Sequence, residues 1–508
     1  MRCATPGGSS ACVLAALFLL SLSACTTPDR LVILHFNDFH GQITSWRPST
    51  RPGVAASRLG GFHAVSNYVR REREGAQPGT VVWVTDGGDW FQGTPEGNED
   101  HGHSLMACRN RLGFTAVTVG NHEYDYGEAN LIRLIGNARH PVLCANIRDR
   151  LGSSLPYVTP YRIETVGRVR IAIVGLVAAD TRNVSTGPFG DAEFADEIDT
   201  VRELLPELEA RTDAVVLITH CGIEKDVQLA RAFPSIDLIL GGHSHTALPK
   251  GRKVGRTWIV QSAGRGGSVS RVEIDLRHDT PGFVVRSVRL VPIVAVDPSG
   301  DLDADTVSFL ATTFPHIGPK WDRPVGRVEG AKDLGVRRPF STPGGNYLAG
   351  LIRRRGGADV GLMNKGGIRT TIALGPITRR QVFELLPFDN TVVTMEMTGG
   401  QLHTLLAQGF RPGRQPLEID GGRYAFRVVG GRRELASVEV GGRPIEATAR
   451  YRIATNSFLA GGGDGFTEFA RVANHQVSPG WLRDSMLAEL RQDGSIRLVA
   501  EQRIRLVE

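Results

Sequence analysis

Cysteine is scarce in this chain of 508 residues, so disulfides cannot supply its framework. Three of the six cysteines fall within the first 25 residues, and only Cys108, Cys144 and Cys221 follow. At most one bridge can form among these three. A bridge between Cys108 and Cys144 is one possibility. The alternative is that each cysteine is simply a small hydrophobic residue of the core. The length instead predicts two or three domains with substantial hydrophobic cores.

Long basic tracts interleaved with aromatic residues are also missing. Lys and Arg number 59 against 53 Asp and Glu, so the net charge of +6 is modest, and the Arg clusters are scattered. These clusters indicate solvated surface, and neither a nucleic acid nor an obligate protein partner is expected. The sequence shows no internal repeat, and no segment beyond the N-terminus has the length of a transmembrane helix.

The strongest apolar run lies at the N-terminus, in "ACVLAALFLLSLSAC". Its apolar core of about a dozen residues is too short for a membrane span and suits a secretory signal. Its end, "LSAC", resembles the bacterial lipobox, which implies removal of residues 1–24 and a lipid on Cys25. A plain signal peptide is the alternative. We therefore expect an exported periplasmic or cell-surface lipoprotein that contacts the membrane only through this lipid. Thr26 rather than Asp follows Cys25, which resembles the outer-membrane sorting pattern of Gram-negative lipoproteins and implies an outer-membrane anchor.

Two domains are expected after the signal. Between residues 29 and 295, apolar runs such as "LVILHF" and "VRIAIVGLV" alternate with helical patterns such as "EANLIRLIGNA". This alternation predicts an α/β layered domain. Residues 296–321 begin with "VDPSGDLDAD", which is typical of a boundary, and continue as a helix. Residues 322–508 are predicted to form a second α/β or α+β domain.

Polar side chains follow five of the predicted strands directly. They are Asp38 and His40 after "LVILHF", Asp89 after "VVWVT", Asn121 and His122 after "AVTV", His220 after "AVVLI", and His243 and His245 after "DLIL". Ligand sites of open α/β sheets form at the carboxyl ends of strands, so these residues are expected to converge. Taken singly, each has a plainer interpretation, because such an Asp is often a turn or helix cap and a single His is more often structural.

Taken together, these residues predict a site for two metal ions. Oxygen and nitrogen donors without paired thiolates suit Mn, Zn, Fe or Mg, and they argue against an iron–sulfur or cysteine-rich zinc site. The donors are too many for one tetrahedral ion. Two ions that share a carboxylate fit better, and such sites are common in phosphoester hydrolysis.

The motifs also resemble a known family. "NDFHG", "GGDWFQG", "GNHEYD", "THCG" and "GGHSHT", in this order, resemble the calcineurin-like metallophosphoesterases. "NKGGIR", "LPFDN" and "YRIATNSFLAGGGDGF" resemble the C-terminal domain of the 5′-nucleotidase/UDP-sugar hydrolase family. The resemblance covers nearly the whole mature chain. It implies a four-layer α/β metallophosphoesterase sandwich followed by an α/β (α+β) nucleotide-binding domain.

The resemblance further implies roles for individual residues. One divalent ion (Mn, Zn, Co or Mg) is implied at Asp38, His40, Asp89 and His245, and a second at Asp89, Asn121, His220 and His243. Asp89 would bridge the two ions, and Asp86 competes for that place. The implied substrate contacts are Asn364, Arg369, Phe388, Asn390, Phe458 and Asp464. The two Phe rings would clamp the nucleobase, and Asp464 would bind the ribose.

His122 and Asp125 form the catalytic pair that the resemblance implies. His122 would contact the phosphoryl or leaving oxygen, and Asp125 would fix its tautomer. "DYGE" allows another interpretation, because Asp125 and Glu128 have the spacing of a capping box for the helix that follows. Glu123 and Tyr124 are interpreted as structural.

The implied function is a secreted dimetal phosphohydrolase that converts 5′-nucleotides to nucleosides and phosphate. A 2′,3′-cyclic-nucleotide phosphodiesterase/3′-nucleotidase and a nucleotide-sugar pyrophosphatase are the close alternatives. A catalytically silent nucleotide-binding surface lipoprotein is the alternative of another class. Occupation of every ligand position of the family argues against this last possibility.

Overall fold

The computed structural model describes residues 27–46, 58–276, 283–295, 304–315, 317–333 and 340–508. The predicted signal peptide, Cys25 and residues 296–303 of the predicted boundary lie outside these ranges. Among the helices described, none has the length and hydropathy needed to cross a bilayer.

The first domain alternates short strands with helices, as its apolar pattern predicts. Its strands are β1 (Arg30–Phe36), β2 (Thr80–Asp86), β3 (Ala116–Thr118), β4 (Val142–Leu143), β5 (Ile147–Arg148), β6 (Tyr161–Val166), β7 (Val169–Val177), β8 (Glu193–Phe194), β9 (Ala214–His220), β10 (Leu238–Leu240), β11 (Arg252–Val254), β12 (Thr257–Val260), β13 (Ser268–Asp275) and β14 (Val284–Pro292). Its helices are α1 (Phe62–Glu74), α2 (Pro95–Asn98), α3 (His103–Leu112), α4 (Glu128–Gly136), α5 (Thr181–Val184), α6 (Glu197–Arg211) and α7 (Ile223–Ala232), with α8 (Ala304–Thr313) after them.

Two six-stranded sheets form the centre of this domain, in the orders β14-β13-β1-β2-β3-β4 and β11-β12-β10-β9-β7-β6. Strands β1 to β4 run parallel to one another in the first sheet. Strands β7, β9, β10 and β12 do so in the second sheet. The loops that follow parallel strands therefore gather at one edge of each sheet.

Side-chain alternation along the strands divides the core into layers. On β1, Leu31 faces the second sheet, whereas Leu34 packs among residues of α1, α3 and α4. On β9, Val216 joins the core between the sheets, and Val215 packs among residues of α6 and α7. The order helix, sheet, sheet, helix is the four-layer α/β sandwich that the resemblance implies, so this prediction is confirmed.

The second domain is of the mixed class that was predicted. Its strands are β15 (Pro324–Gly330), β16 (Val360–Met363), β17 (Gly375–Thr378), β18 (Thr391–Thr398), β19 (Glu418–Asp420), β20 (Gly422–Val429), β21 (Arg432–Val440), β22 (Arg443–Pro444), β23 (Arg450–Asn456), β24 (Gln476–Trp481), β25 (Ser495–Leu498) and β26 (Ile504–Leu506). Its helices are α9 (Pro343–Gly356), α10 (Arg379–Leu385), α11 (Gly399–Gln408), α12 (Ser457–Ala460), α13 (Thr467–Ala470) and α14 (Leu482–Asp493). The largest sheet has the order β19-β16-β23-β18-β24.

The two domains contact each other through buried polar groups. Arg380 at the start of α10 donates to both carboxylate oxygens of Glu96 in α2, at 2.6 and 2.7 Å, and both side chains are buried. Helix α8 packs on the first domain, where the rings of Phe309 and Phe62 lie 6.1 Å apart. Cysteine contributes no cross-link in the described residues, because Cys108, Cys144 and Cys221 are all free, and the Cys108–Cys144 bridge does not form.

Candidate active site

The last residue of β9 and the loops that follow β1, β2 and β10 bring six of the predicted metal ligands into two groups. The groups are Asp38, His40 and His245, and Asp89, His220 and His243. Within each group, the donor atoms all lie within 4.8 Å of one another. These are the two clusters of this kind among the residues that the structure describes.

The first group has its nitrogen donors turned inward. Nε2 of His245 lies 3.2 Å from Oδ1 of Asp38 and 3.1 Å from Nε2 of His40. Nδ1 of His40 lies 3.1 Å from the carbonyl oxygen of Gln92. Because a carbonyl only accepts, Nδ1 of His40 carries the proton, and the lone pair of Nε2 faces the group.

The second group includes the amide of Asn121. The Oδ1 atom of Asn121 lies 3.2 Å from Nε2 of His220 and 3.0 Å from Nδ1 of His243. His220 donates through Nδ1 to the carbonyl of Gly87 at 2.6 Å, which leaves its Nε2 facing the group. The inward atoms of this group are therefore carboxylate and amide oxygens and imidazole nitrogens.

Asp89 lies between the two groups. Its Oδ2 atom is 3.2 Å from Nε2 of His220 and 3.8 Å from Nε2 of His40. Gly120 makes this approach possible, because a Cβ atom at Gly120 would lie 2.3 Å from Oδ1 of Asp89. The glycine that precedes Asn121 is thus required by the close approach of the Asp89 carboxylate.

Asp86, the competitor for the bridging place, is turned away from both groups. Its Oδ1 accepts the N–H of Gly88 at 2.8 Å, and its Oδ2 accepts from Arg109 at 3.0 Å. The Arg109 guanidinium is buried 4.5 Å from the ring centre of Trp90 and 4.7 Å from that of Phe114. Asp86 and Arg109 form a buried ion pair beneath the loop that carries Asp89.

This pair leads to a stability prediction. Asp86→Asn leaves the Arg109 charge buried without its carboxylate, so the free energy of unfolding is expected to fall by about 3 kcal/mol. Chemical denaturation of the metal-free chain measures this change, and elemental analysis should find the same metal content as in the wild type. Loss of metal at unchanged stability would show that Asp86 is a ligand after all.

Five of the six clustered residues have left-handed backbone. The φ angles are 52° for Asp38, 50° for His40, 57° for Asp89, 73° for His243 and 51° for His245. Residues other than glycine pay about 1–3 kcal/mol for a sparsely populated conformation and hold it only where the surrounding structure enforces it. These tight turns direct the donor side chains of each loop towards the two groups.

The electrostatics favour a cation at this centre. Burial alone would lower the pKa of His220, but the Asp89 and Asp38 carboxylates outweigh it and raise that pKa to about 10. Burial lowers the pKa of His243 to about 4, and the neighbouring His220 adds to this effect. Two carboxylates, imidazole nitrogens and an amide oxygen without a thiolate form a donor set that fits divalent metal ions.

His122 lies beside this centre with its orientation fixed. Its Nδ1 is 2.7 Å from Oδ2 of Asp125, and its Nε2 faces Asp89 at 4.0 Å. Asp125 in turn accepts from Oγ of Ser185 at 2.7 Å and from the N–H of Thr186 at 3.2 Å. Burial lowers the pKa of His122, but the carboxylates of Asp125 and Asp89 outweigh it, and the net shift is upward.

The capping-box interpretation of Asp125 is wrong. Helix α4 begins at Glu128 after Gly127, and no side chain caps its first turn. The Glu128 carboxylate instead accepts from the hydroxyl of Tyr157 at 2.7 Å and from the N–H of Asp191 at 3.0 Å. Both carboxylates find partners from distant segments, which the local spacing could not reveal.

Glu123 is a residue of the site that sequence reasoning left aside. Its carboxylate is fully buried and accepts the N–H groups of Asp89, Trp90 and Gly120 at 2.8, 2.7 and 2.7 Å. Burial and the nearby Asp89 raise the pKa of Glu123 to about 7. The carboxylate ties together the loops that carry Asp89 and Asn121. The sequence gives no sign of this role, because two of the N–H donors, those of Asp89 and Trp90, lie more than 30 residues before Glu123.

The second domain closes over this centre. A cavity of about 240 Å³ is lined by Asp89, Asn121, His122 and Asp125 together with all six predicted substrate residues, Asn364, Arg369, Phe388, Asn390, Phe458 and Asp464. The Phe388 ring stacks on His122 with centroids 5.4 Å apart. Arg369 reaches the first group, with Nη2 at 3.3 Å from Nε2 of His40.

Hydrogen bonds hold the polar members of the second domain in place. Asp464 accepts from Nδ2 of Asn364 at 2.8 Å, and burial raises the pKa of Asp464. The Oδ1 atom of Asn390 accepts the N–H of Phe458 at 3.2 Å. The Asn390 amide therefore presents its NH₂ group as the end that remains for a ligand.

Comparison with known proteins agrees with this division of the chain. Residues 31–247 match the family model described as calcineurin-like phosphoesterase, and residues 324–471 match the one described as 5′-nucleotidase, C-terminal domain. The 5′-nucleotidase of Vibrio cholerae serotype O1 is 28% identical over 95% of this chain and 94% of its own length.

Two solved structures share the fold. The 5′-nucleotidase precursor of Thermus thermophilus has a TM-score of 0.84 and 26% identity, over 94% of this chain and 99% of that one. The sulfate thiohydrolase SoxB of the same species has a TM-score of 0.80 at 23% identity, over 94% and 96% of the two chains. The shared fold therefore does not by itself decide which bond is cleaved.

Proposed function

Because the chain belongs to the calcineurin-like phosphoesterases with a 5′-nucleotidase C-terminal domain, and is thus a metal-dependent phosphoester hydrolase, we propose that it converts 5′-nucleotides to nucleosides and phosphate. The observation that carries the proposal is the shared cavity. His122 and members of both donor groups, His245 of the first and Asp89 and His243 of the second, line the same cavity of about 240 Å³ as Phe388 and Phe458 of the second domain. A phosphate at the donor groups would leave its nucleoside between the domains.

We assign one divalent ion to Asp38, His40, Asp89 and His245, and a second to Asp89, Asn121, His220 and His243. When bound, such ions offset charge on the phosphoryl oxygens and activate water for attack. Asp125 accepts Nδ1–H of His122, so donation through Nε2 to the phosphoryl or leaving oxygen requires the imidazolium, which the upward shift of the His122 pKa favours. Arg369 supplies a further positive charge on the phosphate side of the cavity, beside His40.

A substrate panel tests the proposal. Metal-stripped protein is supplied with Mn, Zn, Co or Mg and assayed for phosphate release from 5′-AMP, 5′-GMP and 5′-UMP. p-Nitrophenyl phosphate is assayed in parallel, and hydrolysis of a 2′,3′-cyclic nucleotide and of UDP-glucose is followed by chromatography of the products, because these two cleavages release no phosphate. We expect the highest kcat/KM on a 5′-nucleotide. Preference for the cyclic diester or the nucleotide sugar would select one of the close alternatives, and no hydrolysis of any nucleotide substrate would select a silent binding protein.

The two Phe rings give a sharper prediction. Phe388→Ala and Phe458→Ala each remove one face of the proposed base clamp, so nucleotide kcat/KM is expected to fall about 5- to 100-fold, chiefly through KM. Hydrolysis of p-nitrophenyl phosphate has no base to lose and should change much less. Steady-state kinetics on both substrates measure the difference.

Phe410→Ala is the matched control for the Phe variants. Phe410 packs in the same domain against Phe426, with ring centres 5.1 Å apart, and lies outside the cavity. We expect no substrate-dependent effect from it. Equal losses on both substrates in the Phe388 and Phe458 variants would mean that these rings pack a core, and the function would reduce to a general phosphoesterase.

We further propose that residues 296–321 link a domain of residues 29–295 to one of residues 322–508, with the pivot for opening inside that link. The gap between the two family matches, from 247 to 324, supports this division. Export and lipid attachment at Cys25 are proposed from the "LSAC" sequence alone. In this proposal the nucleotide is the partner, and the membrane is contacted through the lipid only.

A further inference from the structure

We infer that Arg483 is a positioning residue for nucleotide binding, which holds the segment that carries Phe388 in its clamping position. The inference rests on the proposed function for its substrate. Arg483 is the second residue of α14 and lies 95 residues beyond Phe388 in the sequence. Its side chain is buried, with 8% of the residue exposed.

The hydrogen bonds of Arg483 all reach the "LPFDN" segment. Nη1 donates to the carbonyl of Pro387 at 3.3 Å and to that of Phe388 at 3.1 Å, and Nη2 donates to Oδ1 of Asp389. One guanidinium therefore binds three successive residues. Such a fork of donors fixes the path of a backbone, which a single ammonium group cannot do.

Two aromatic rings fix the guanidinium itself. Its central carbon lies 4.8 Å from the ring centre of Phe383 and 4.3 Å from that of Trp481. A cation in the first turn of a helix opposes the helix dipole, so the position is not one that helix formation favours. The neighbouring Leu482 N–H also donates to the carbonyl of Asn390, at 2.7 Å. The start of α14 thus holds the segment at both ends.

On its cavity side, the Phe388 ring contacts Arg369 of its own domain, whose guanidinium carbon lies 5.7 Å from the ring centre, and its other contacts there are with the first domain. The Phe388 ring faces His122 of the first domain, which moves away if the domains open. Asn98 of the first domain contacts the Pro387 carbonyl at 3.4 Å and would separate with it. Arg483 belongs to the same domain as Phe388 and would keep the ring in place in an open chain. It therefore prepares the clamp before nucleotide binds.

Arg483→Met tests the inference, because Met keeps an unbranched apolar stem between the rings and removes every donor. We expect a rise in nucleotide KM that lowers kcat/KM about tenfold, as for one weakened base stack. Turnover of p-nitrophenyl phosphate and metal content should stay within twofold of wild type. Arg483→Lys has a single ammonium nitrogen in place of the fork, so its nucleotide kcat/KM should lie between those of the wild type and of Arg483→Met. Amide hydrogen exchange in residues 386–391 should be faster in Arg483→Met.

The matched control is Arg503→Met. Arg503 is similarly enclosed in the second domain, where it donates to the Ile419 carbonyl at 3.1 Å and to Asp420, far along the chain from the clamp. We expect it to leave the ratio between the two substrates and the exchange of residues 386–391 unchanged. If the control shifts either readout as Arg483→Met does, the effect is one of general stability and the inference is wrong.

Three other results would overturn the role of Arg483. They are equal losses on both substrates in Arg483→Met, no change on either substrate, and an Arg483→Lys variant that no longer folds. A wild-type chain that cleaves the aryl phosphate but no nucleotide would refute the proposed function. In that case the amide hydrogen exchange of residues 386–391 would still test the positioning role. Unchanged exchange in Arg483→Met would refute that role as well, and faster exchange would support it.

Discussion

His122→Ala is expected to lower turnover of a 5′-nucleotide by about 10²–10⁴-fold, the range for a positioned acid–base group. The imidazole is not part of either donor group and contacts Asp89 only at 4.0 Å. Its removal should therefore leave metal content and the unfolding temperature close to wild type. Steady-state kinetics and elemental analysis of the same preparation provide the two measurements.

Two variants sharpen this experiment. Asp125→Asn keeps the shape of the residue that binds Nδ1 of His122 but loses its charge, and a loss of about 10- to 100-fold is expected. His403→Ala, at an exposed position of α11, should change nothing. If His122→Ala loses metal in proportion to activity, His122 is a ligand and the acid–base assignment fails.

Asp89→Asn should reduce activity and metal content together. The amide could not supply the negative charge that two ions would share at Asp89. Bound metal contributes several kcal/mol of transition-state stabilisation in such enzymes, so a loss of at least about 10²–10³-fold is expected. The variant should also lose the rise in unfolding temperature that added Mn or Zn gives the wild type, because a ligand that binds only the native state stabilises it.

Asp86→Asn is the companion measurement for Asp89→Asn, since the two carboxylates follow the same strand. The pair should separate cleanly, with stability lost in one variant and metal lost in the other. Two metal ions and near-normal turnover in Asp89→Asn would exclude the bridge and return Asp86 to consideration.

The sequence predicts the layered fold and the convergence of donors because both depend on local pattern. An apolar run followed by Asp or His places that side chain at a strand end, as at His220, the last residue of β9. This local pattern cannot decide whether Asp86 or Asp89 faces the donor groups, because Asp86 is turned away by its ion pair with Arg109, which lies 23 residues further along the chain. The mistaken cap at Asp125 has the same origin, since Ser185 is 60 residues away.

The supporting residues are the ones that sequence reasoning misses. Glu123 acts through backbone N–H groups, which every residue type except proline has, so its partners leave no mark in the sequence. Arg483 is one of many arginines, and its role depends on the fold bringing α14 against the segment before β18. Such contacts are long-range and chemically generic, and a single sequence carries no periodicity or motif for them.

The left-handed turns at the donor positions set stability against activity in this domain. Glycine would adopt the same backbone without the penalty that His40 and His245 bear, so the backbone conformation there favours their replacement. Laboratory selection for thermal tolerance alone would therefore erode these positions early, and selection under substrate would preserve them. Substitutions intended to raise the thermal stability of this protein should therefore begin in the loops farthest from the strand ends that carry the donor residues.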